Sequence, residues 1–277
     1  HTSSNSLQVF AHKPAPIQAT FYPTSTGLKT MDYRMTDPYL DPLPLGSLNT
    51  EKLIYLTHSI IYYPPKLPPI APLPVDENQY ITFGCFSHLN KLNSSVLALC
   101  ADILNAIPHS RLILKSPPLS FDDLREHHGQ LLEEKGIPPE RLLLLPFVTS
   151  LEEHLCTYYQ IDIALDPFPY NGHITTYEAL WMGVPVITLE GNNHFGRVSM
   201  TLLSIIELSR LIAHSKEEYL QIALHLASHR EELKELHSTL RSKMENSIFG
   251  DRKGLMQQLE ILYHQIWHEW CNNEMGN

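Results

Sequence analysis

The chain has 277 residues, a hydrophobic fraction of 43% and a formal net charge of -10 at pH 7. This length allows one large or two modest domains with hydrophobic cores of their own, and the acidic balance argues against broad binding to nucleic acid. Apolar stretches are too short to cross a membrane, and the four cysteines are too far apart for a zinc motif or a disulfide framework. The totals therefore predict a globular protein of a reducing, cytoplasmic setting, without a membrane or a nucleic acid as its partner.

Residues 1–75 are rich in proline, with runs such as "KPAPIQ" and "YYPPKLPPIAPLP". Because proline favours extended and turn conformations, this segment is predicted to hold only short elements. Apolar runs at Ile17–Phe21 and Leu53–Tyr62 are either strands or one-turn helices, and Pro64–Pro74 is predicted to be a stiff linker. The opening "HTSSNSLQVF" lacks Met and any lead-in to a helix or strand, which indicates a piece of a longer protein.

From Tyr80 onward, buried strands and helices are predicted to alternate. The strands are Ile81–Phe86, Arg111–Lys115, Leu142–Leu145, Ile161–Leu165 and Val184–Leu189. Helical spacing lies between them, at Ser94–Ile107, Phe121–Lys135, Leu151–Tyr159 and Thr175–Met182. Ser120 and Ser150 are predicted N-caps, and Gly136 and Gly183 are predicted helix ends. This alternation predicts an α/β fold with a parallel, doubly wound sheet.

After Gly196 the chain is predicted to be largely helical. Ser215–Asn246 and Lys253–Trp270 have the spacing of long amphipathic helices. The spacing of His264 and His268 is compatible with a metal site, but the glutamate and third ligand of a zinc hydrolase are not present near them. No metal site is therefore predicted.

The loop after the fourth predicted strand, "DPFPYNGHITTYE", carries donors at the point where a helix begins. Ligands of open parallel sheets bind beyond the carboxyl ends of the strands, where free helix amides favour phosphate. Asn171 and Gly172 allow a tight turn, and His173, Thr175 and Thr176 add polar side chains. Glu178, one turn into the helix, is placed to accept the hydroxyls of a ribose. The alternative is an ordinary N-terminal cap.

Two further loops end at the same predicted edge. "FGCFSHLNKLNSSV" holds His88 and Lys91, and the lysine is either a partner of a diphosphate or a solvated surface residue. "GNNHFGRVS" holds His194 and Arg197. Three donor-rich loops at one sheet edge predict a convergent site for an anionic ligand. Because GxGxxG and GxxxxGK[ST] are both missing, dinucleotide and Walker-type sites are not indicated.

Several stretches resemble one known family. "FVTSLEEHL", "DIALDPFPYNGHITTYEALWMGVPVITL" and "HFGRVSMTLL" closely resemble the C-terminal catalytic region of the O-linked N-acetylglucosamine transferase family, especially its bacterial and plant SPINDLY-like branch. "FGCFSHLNKL" resembles the phosphate-contacting loop of that family. "VFAHKPAPIQATFYPTSTGLKTMDYRMTD" and "LIYLTHSIIYYPPKLPPIAPLP" resemble its N-terminal segment and the bridge between its lobes. The resemblance covers nearly the whole chain.

The resemblance implies a GT-B fold. Residues 1–75 would be the remainder of the N-terminal lobe with the interlobe linker, and residues 76–250 the Rossmann-like lobe that binds the nucleotide sugar. Residues 251–277 would be a C-terminal helix that packs back on the N-terminal lobe. The early strands of the N-terminal lobe and the helical TPR array that gathers acceptor proteins would lie outside this chain.

The resemblance also implies an activity. The family transfers N-acetylglucosamine, or fucose in some plant members, from a nucleotide sugar to Ser or Thr hydroxyls of proteins. The reaction inverts the anomeric centre and needs neither metal nor cofactor besides the donor, here expected to be UDP-GlcNAc. One alternative is a degenerate or truncated nucleotide-binding or scaffolding module without turnover. Another is a sugar-nucleotide epimerase that shares the fold, although the motifs do not resemble that class.

The resemblance assigns roles to individual residues. Lys91 corresponds to the lysine on the pyrophosphate, which stabilises the leaving group, while the catalytic base stays unassigned. The remaining expected contacts are to the phosphates (His173, Ile174 and Thr175), the ribose (Glu178) and the nucleobase (Thr149 and His154). Ile174 replaces a threonine, so only its amide can donate. Leu151 and Thr157 replace basic residues near the uridine, so the base is expected to meet mostly backbone.

Overall fold

The computed structural model describes residues 7–21, 24–42, 49–57, 59 and 67–275. Contacts between residues divide the chain into two units, His1–Ile61 with Ile248–Asn277, and Tyr62–Ser247. Within the described ranges, none of the helices has both the length and the apolar character that a membrane span requires.

The smaller unit contains a three-stranded parallel sheet. It begins with helix α1 (Leu7–Ala11), and its strands β1 (Ala19–Thr20), β2 (Tyr33–Thr36) and β3 (Lys52–Tyr55) lie in that order. Strands therefore form within both apolar runs that were predicted as either strand or helix, Ile17–Phe21 and Leu53–Tyr62. The central strand β2 was not predicted.

The last helix of the chain, Arg252–Met275, belongs to this smaller unit and is called the C-terminal helix below. Its residues Leu255 and Leu259 are each 7% exposed and form a core cluster with Met35 and Leu56. Leu262 packs on the edge of this cluster. The two ends of the chain thus share one hydrophobic core.

The larger unit is built on a six-stranded parallel sheet. Its strands are β4 (Thr82–Cys85), β5 (Arg111–Lys115), β6 (Leu142–Leu145), β7 (Ile163–Leu165), β8 (Val186–Leu189) and β9 (Ile212–Ala213). Their spatial order is β6-β5-β4-β7-β8-β9. All five predicted strands are present, and β9 adds an edge strand that was not predicted.

Eight α-helices belong to the described part of the larger unit. They are α2 (Pro74–Asn78), α3 (Ser94–Ala106), α4 (Asp122–Glu133), α5 (Leu151–Cys156), α6 (Ile174–Trp181), α7 (Val198–Ile205), α8 (Lys216–Ser228) and α9 (Arg230–Asn246). Because crossovers between parallel strands are right-handed, the reversal of strand order beside β4 places the helices on both faces. The predicted doubly wound α/β fold is confirmed.

Some predicted helix signals are correct and others are wrong. The Ser150 hydroxyl accepts a hydrogen bond from the amide of Glu153 at 3.3 Å and caps α5, as predicted. Gly183 follows α6 with φ of +79°, a conformation that few other residues adopt. Ser120 is not an N-cap, because it ends a 3₁₀ turn at Pro117–Ser120 and the cap position of α4 falls on Phe121.

The predicted helix Ser215–Asn246 is two helices, α8 and α9, which meet at His229. There the backbone leaves the helical region, with φ of −111° and ψ of 73°. Helix α8 packs on β8 and α3, whereas α9 packs on α6. Because the two apolar faces have different partners, the chain bends between them. Similarly, the predicted helix Leu151–Tyr159 ends at Cys156 and continues as a 3₁₀ turn, Thr157–Gln160.

The described part of the predicted proline linker is fastened to the larger unit. Arg241 donates to the carbonyl of Pro68 at 2.9 Å, and the His237 ring lies 2.7 Å from the carbonyl of Ala71. These contacts from α9 attach Pro68 and Ala71 to the larger unit, whose range is Tyr62–Ser247. Residues 60–66 lie outside the described residues.

Candidate functional site

The order of the strands marks one place on the sheet edge as a natural ligand site. Strands β4 and β7 are neighbours, and the chain proceeds from β4 towards β6 on one side and from β7 towards β9 on the other. Such a reversal leaves a crevice at the carboxyl ends of the two central strands, where open α/β sheets bind their ligands. The loops that hold Lys91 and His173 leave these two strands. Both predicted loops therefore border the crevice.

The loop between β7 and α6 is held in place by Asp166, which is 5% exposed. One carboxylate oxygen accepts from the amide of Gly172 at 2.6 Å, and the other accepts from the Thr188 hydroxyl at 2.7 Å. Burial raises the pKa of Asp166 to about 6. A Cβ atom on Gly172 would lie 2.4 Å from the Thr176 hydroxyl, so the turn has room only for glycine. The loop thus delivers the chain to the start of α6 in one defined path.

Helix α6 presents its first amides at this crevice. The hydrogen bond from the amide of Tyr177 to the carbonyl of His173 measures 3.1 Å, and the amides of Ile174, Thr175 and Thr176 come before it. Amides at that position and the positive end of the helix dipole favour an anion. Ile174 is 48% exposed. Thr176 is 3% exposed, and its hydroxyl lies 2.9 Å from the hydroxyl of Ser199. Thr176 would therefore meet a ligand at the helix start through its backbone amide rather than through its side chain.

His173 stands at the cap position of α6 without a side-chain capping bond. More than a third of the residue is accessible, yet its surroundings desolvate the ring and lower its pKa, and the nearby Lys91 and His194 lower it further. The lowered pKa favours the neutral imidazole, which both donates and accepts a hydrogen bond.

Lys91 joins the two central loops. Its ammonium donates to the carbonyl of Asn171 at 2.6 Å and lies 4.2 Å from the centre of the Tyr170 ring. Burial lowers the pKa of Lys91, while Asp166 acts in the opposite direction. Lys91 is half-buried, which is not the environment of a solvated surface lysine. His88 is exposed beside it, and its ring accepts from the amide of Asn90 at 3.4 Å.

The loop after β8, which holds His194 and Arg197, contacts the loop after β7 through aromatic rings. Phe195 stacks on Tyr170 with ring centres 4.4 Å apart, and His194 meets the edge of Phe195 at 6.0 Å. Arg197 lies in the same loop, but it donates to Glu190 at 2.6 Å. Glu190 was not predicted as a site residue, yet its carboxylate binds the guanidinium that was expected to meet the ligand.

A second group of predicted residues lies at the β6 side of the crevice. The ring of His154, on α5, is 2.8 Å from the carboxylate of Glu178, on α6. The Tyr158 hydroxyl is 3.3 Å from the same carboxylate oxygen, and Glu178 is 3% exposed. Thr149 is exposed in the loop before α5. The structure thus places Glu178 in a buried contact with His154 that sequence reasoning did not anticipate.

Lys115 was missed by the sequence analysis, although it is the last residue of β5 and therefore lies at the same edge. Its ammonium is 2.7 Å from the other ring nitrogen of His154 and 3.0 Å from the hydroxyl of Thr157. Burial lowers the pKa of Lys115 to about 8, while Glu178 opposes the shift. A charged residue that closes the apolar run "RLILK" is a signal that would have identified it.

Other features of the structure lie away from these loops. A cavity of about 620 Å³ opens at the amino ends of β4, β5 and β6, where Thr82, Arg111 and Leu142 line it, which is the opposite edge of the sheet. Within the described ranges, no cluster of three or more His, Cys, Asp or Glu side chains is arranged to hold a metal ion.

Comparison with known proteins adds independent findings. The sequence model of glycosyl transferase family 41 matches residues 1–63 and 73–259. The probable UDP-N-acetylglucosamine–peptide N-acetylglucosaminyltransferase SPINDLY of Petunia hybrida is 39% identical over 279 residues, covering 99% of this chain and 30% of that protein. The protein of the same name from Arabidopsis thaliana is 37% identical over the same length. The chain thus spans less than a third of the curated relatives that it matches.

Solved structures agree with these sequence relatives. A mutant of the O-GlcNAc transferase from Thermobaculum terrenum matches with a TM-score of 0.89 and 37% identity, over 96% of this chain and 51% of that one. Sucrose-phosphate synthase from Thermosynechococcus elongatus matches with a TM-score of 0.58 at 14% identity, over 86% of this chain and 59% of that one. The second match, at such low identity, shows the likeness of the fold alone.

Proposed function

The chain belongs to glycosyl transferase family 41, and on that premise we propose that it is the nucleotide-sugar-binding part of a protein glycosyltransferase. Its α/β fold is of the GT-B type. The reaction we propose is transfer of N-acetylglucosamine from UDP-N-acetylglucosamine to Ser or Thr hydroxyls of proteins, with inversion at the sugar and without a metal. The names of the relatives support the donor and the peptide acceptor.

One observation carries the donor part of this proposal. The half-buried ammonium of Lys91 and the first amides of α6 face the same crevice, at the point where the strand order reverses. As the bond between sugar and phosphate breaks, negative charge grows on the leaving diphosphate. A lysine and a helix start that are already in place stabilise that charge without reorganisation. In this scheme His173, Ile174 and Thr175 hold the phosphates. The ammonium of Lys91 supplies the positive charge that a metal ion would otherwise bring to the leaving diphosphate, so no metal is required.

The rest of the nucleotide would extend towards β6. Glu178 would accept the ribose hydroxyls, and the base would lie beside the loop that holds Thr149 and the helix that holds His154. Glu178 is 3% exposed, and its carboxylate contacts the His154 ring. His88, His194 and Thr176 lie in the loops and helix that surround the phosphate position.

A transfer experiment tests the proposal. The protein, extended to the length of its curated relatives, would be incubated with labelled UDP-N-acetylglucosamine and a protein extract. We expect label on Ser or Thr of protein acceptors, and a Lys91→Met variant should transfer at least about a hundredfold more slowly because charge on the leaving group is greatest in the transition state. Lys234→Met is the matched control, since Lys234 is an exposed lysine paired with Asp76 at 3.3 Å.

The alternatives have different products. UDP binding without transfer to any acceptor would favour a nucleotide-binding module that lacks turnover. Label recovered in an epimerised sugar would identify the epimerase reaction instead. If neither UDP nor UDP-N-acetylglucosamine binds, the proposed site itself is wrong.

A further inference from the structure

Lys115 is a buried cation whose ammonium contacts the polar side chains of His154 and Thr157. It is 5% exposed, at the carboxyl end of β5, with its ammonium near His154, Thr157 and, at 5.6 Å, the ring of Phe86. Burying an ammonium is unfavourable unless it makes good hydrogen bonds. The Thr157 hydroxyl donates onward to the carbonyl of Glu153 at 2.9 Å, so its oxygen accepts from the ammonium. The other acceptor is the imidazole.

The ammonium of Lys115 and the carboxylate of Glu178 favour the same tautomer of the His154 ring. An ammonium is a donor only, so the ring nitrogen Nδ1, 2.7 Å away, has to accept. The ring proton is then on Nε2, which faces the carboxylate of Glu178 at 2.8 Å and donates to it. A chain of hydrogen bonds therefore runs from Lys115 through His154 to Glu178, and each bond in it pairs a donor with an acceptor.

We propose that Lys115 is a positioning residue for donor binding: its ammonium holds His154 as the Nε2–H tautomer, and this tautomer holds the Glu178 carboxylate at the base of the crevice. The inference rests on the proposed function, in which Glu178 receives the ribose. It gives a role to a residue that does not itself reach the ligand, because Lys115 acts through the His154 ring.

The arrangement makes donor binding depend on pH. The titratable groups that face Lys115 and the His154 ring are Glu178 and the Tyr158 hydroxyl. Burial lowers the pKa of Lys115 to about 8. Below that pH the ammonium fixes the tautomer. Above it, the neutral amine can also accept a hydrogen bond from Nδ1–H, so the second tautomer, in which the lone pair of Nε2 faces the carboxylate, becomes accessible. UDP affinity should therefore fall as the pH rises through about 8.

The first experiment measures the tautomer without any ligand. Nitrogen NMR of the His154 ring, at about pH 7, should show a proton on Nε2 and none on Nδ1 in the wild type. In Lys115→Met, which keeps the apolar stem and removes the donor, we expect a mixture of tautomers or a doubly protonated ring. Lys234→Met is the control lysine and should retain the wild-type tautomer. An unchanged His154 in Lys115→Met would overturn the inference.

The second experiment measures UDP affinity by calorimetry from about pH 7 to about pH 9. We expect the wild type to bind several-fold more weakly at the upper end, and Lys115→Met to be about tenfold weaker at pH 7 and flat across the range. Lys115→Arg keeps a donor whose charge persists throughout, so it should bind UDP better than Lys115→Met and lack the pH step. This variant also serves if Lys115→Met does not fold, which melting curves would show.

A double-mutant cycle separates positioning from other roles. If Lys115 acts through the imidazole, Lys115→Met should change UDP affinity less than about twofold in a His154→Ala background. A full effect in that background would mean that Lys115 acts on the ligand or the fold by another route, and the inference would be wrong. Failure of the wild type to bind UDP would instead overturn the proposed function, while the NMR experiment would still decide the role of Lys115.

Discussion

The ammonium of Lys91 contacts Asn171 and Tyr170, both in the loop that follows β7, although Lys91 itself follows β4. A carbonyl and an aromatic ring are weaker partners for a buried ammonium than a phosphate would be. A diphosphate in the crevice would therefore give the Lys91 ammonium a stronger partner than Asn171 and Tyr170 provide. At the scale of single residues, this lysine is the one whose role is tested most directly.

Lys91→Ala should weaken UDP binding by about 1.5–3 kcal/mol, roughly tenfold to a hundredfold, because it removes a charge-assisted contact from a partly desolvated site. Lys91→Arg should restore only part of the affinity, since a planar guanidinium does not fit where a compact ammonium lies. Calorimetric titration with UDP measures both effects.

Melting curves are the control for folding, with Lys234→Ala as the matched surface substitution. Loss of the contact with Asn171 should cost about 1 kcal/mol of stability and leave the fold intact. If Lys91→Ala and the wild type bind UDP equally well, Lys91 has no phosphate role and most of the proposed site is wrong.

The segment that would meet the nucleobase is the loop between β6 and α5 together with Leu151, the first residue of α5. Its side chains are short or apolar: Phe147 is 56% exposed, Leu151 is 40% exposed, and Thr149 lies between them. The nearby cation, Lys115, is buried and engaged with His154. Contacts to the base would therefore come mostly from backbone groups, as the sequence analysis expected from Leu151 and Thr157.

This composition predicts weak discrimination between bases. UDP and GDP should differ in affinity by less than about tenfold, because strong rejection of a wrong ligand needs buried polar side chains that would be left unpaired. Competition of each nucleotide against a fluorescent UDP analogue would measure the ratio. A strong preference for GDP would contradict the assignment of UDP-N-acetylglucosamine as the donor.

At the scale of the whole molecule, the smaller unit is assembled from both ends of the chain, and the C-terminal helix closes its core through Leu255 and Leu259. Leu259→Ala should destabilise this unit by about 2–4 kcal/mol, since it leaves a cavity beside Met35 and Leu56. Ile261→Ala is the matched control on the same helix, where the side chain is 59% exposed, and should cost no more than about 0.5 kcal/mol.

Hydrogen exchange would localise the effect. Protection should fall at β2 and β3 in Leu259→Ala and stay unchanged at β4 and β5 of the larger unit. Equal stability of Leu259→Ala and Ile261→Ala would mean that the core cluster contributes little to the smaller unit.

The sequence by itself determined the central framework of the larger unit. Strands β5 and β6 have the predicted limits, because each is a continuous apolar run bounded by polar or turn residues, although the edge strand β6 is only partly buried. The positions of the donor-rich loops were also readable, since every strand of a parallel sheet sends its carboxyl end to the same edge. The resemblance added the roles of individual residues, which no pattern of apolar positions contains.

Only the tertiary structure decided the rest. Strand β2, "YRMT", mixes polar and apolar residues, and β9 has only two residues, so neither is a continuous apolar run; both form because neighbouring strands pair with them. The break at His229 reflects two packing partners that lie far from it in sequence. The side-chain pairs within the site, Lys115 with His154, Arg197 with Glu190 and Thr176 with Ser199, depend on which loops the strand order brings together. The local sequence does not predict such contacts, because they depend on how separate elements pack together and not on the residues next to each partner along the chain.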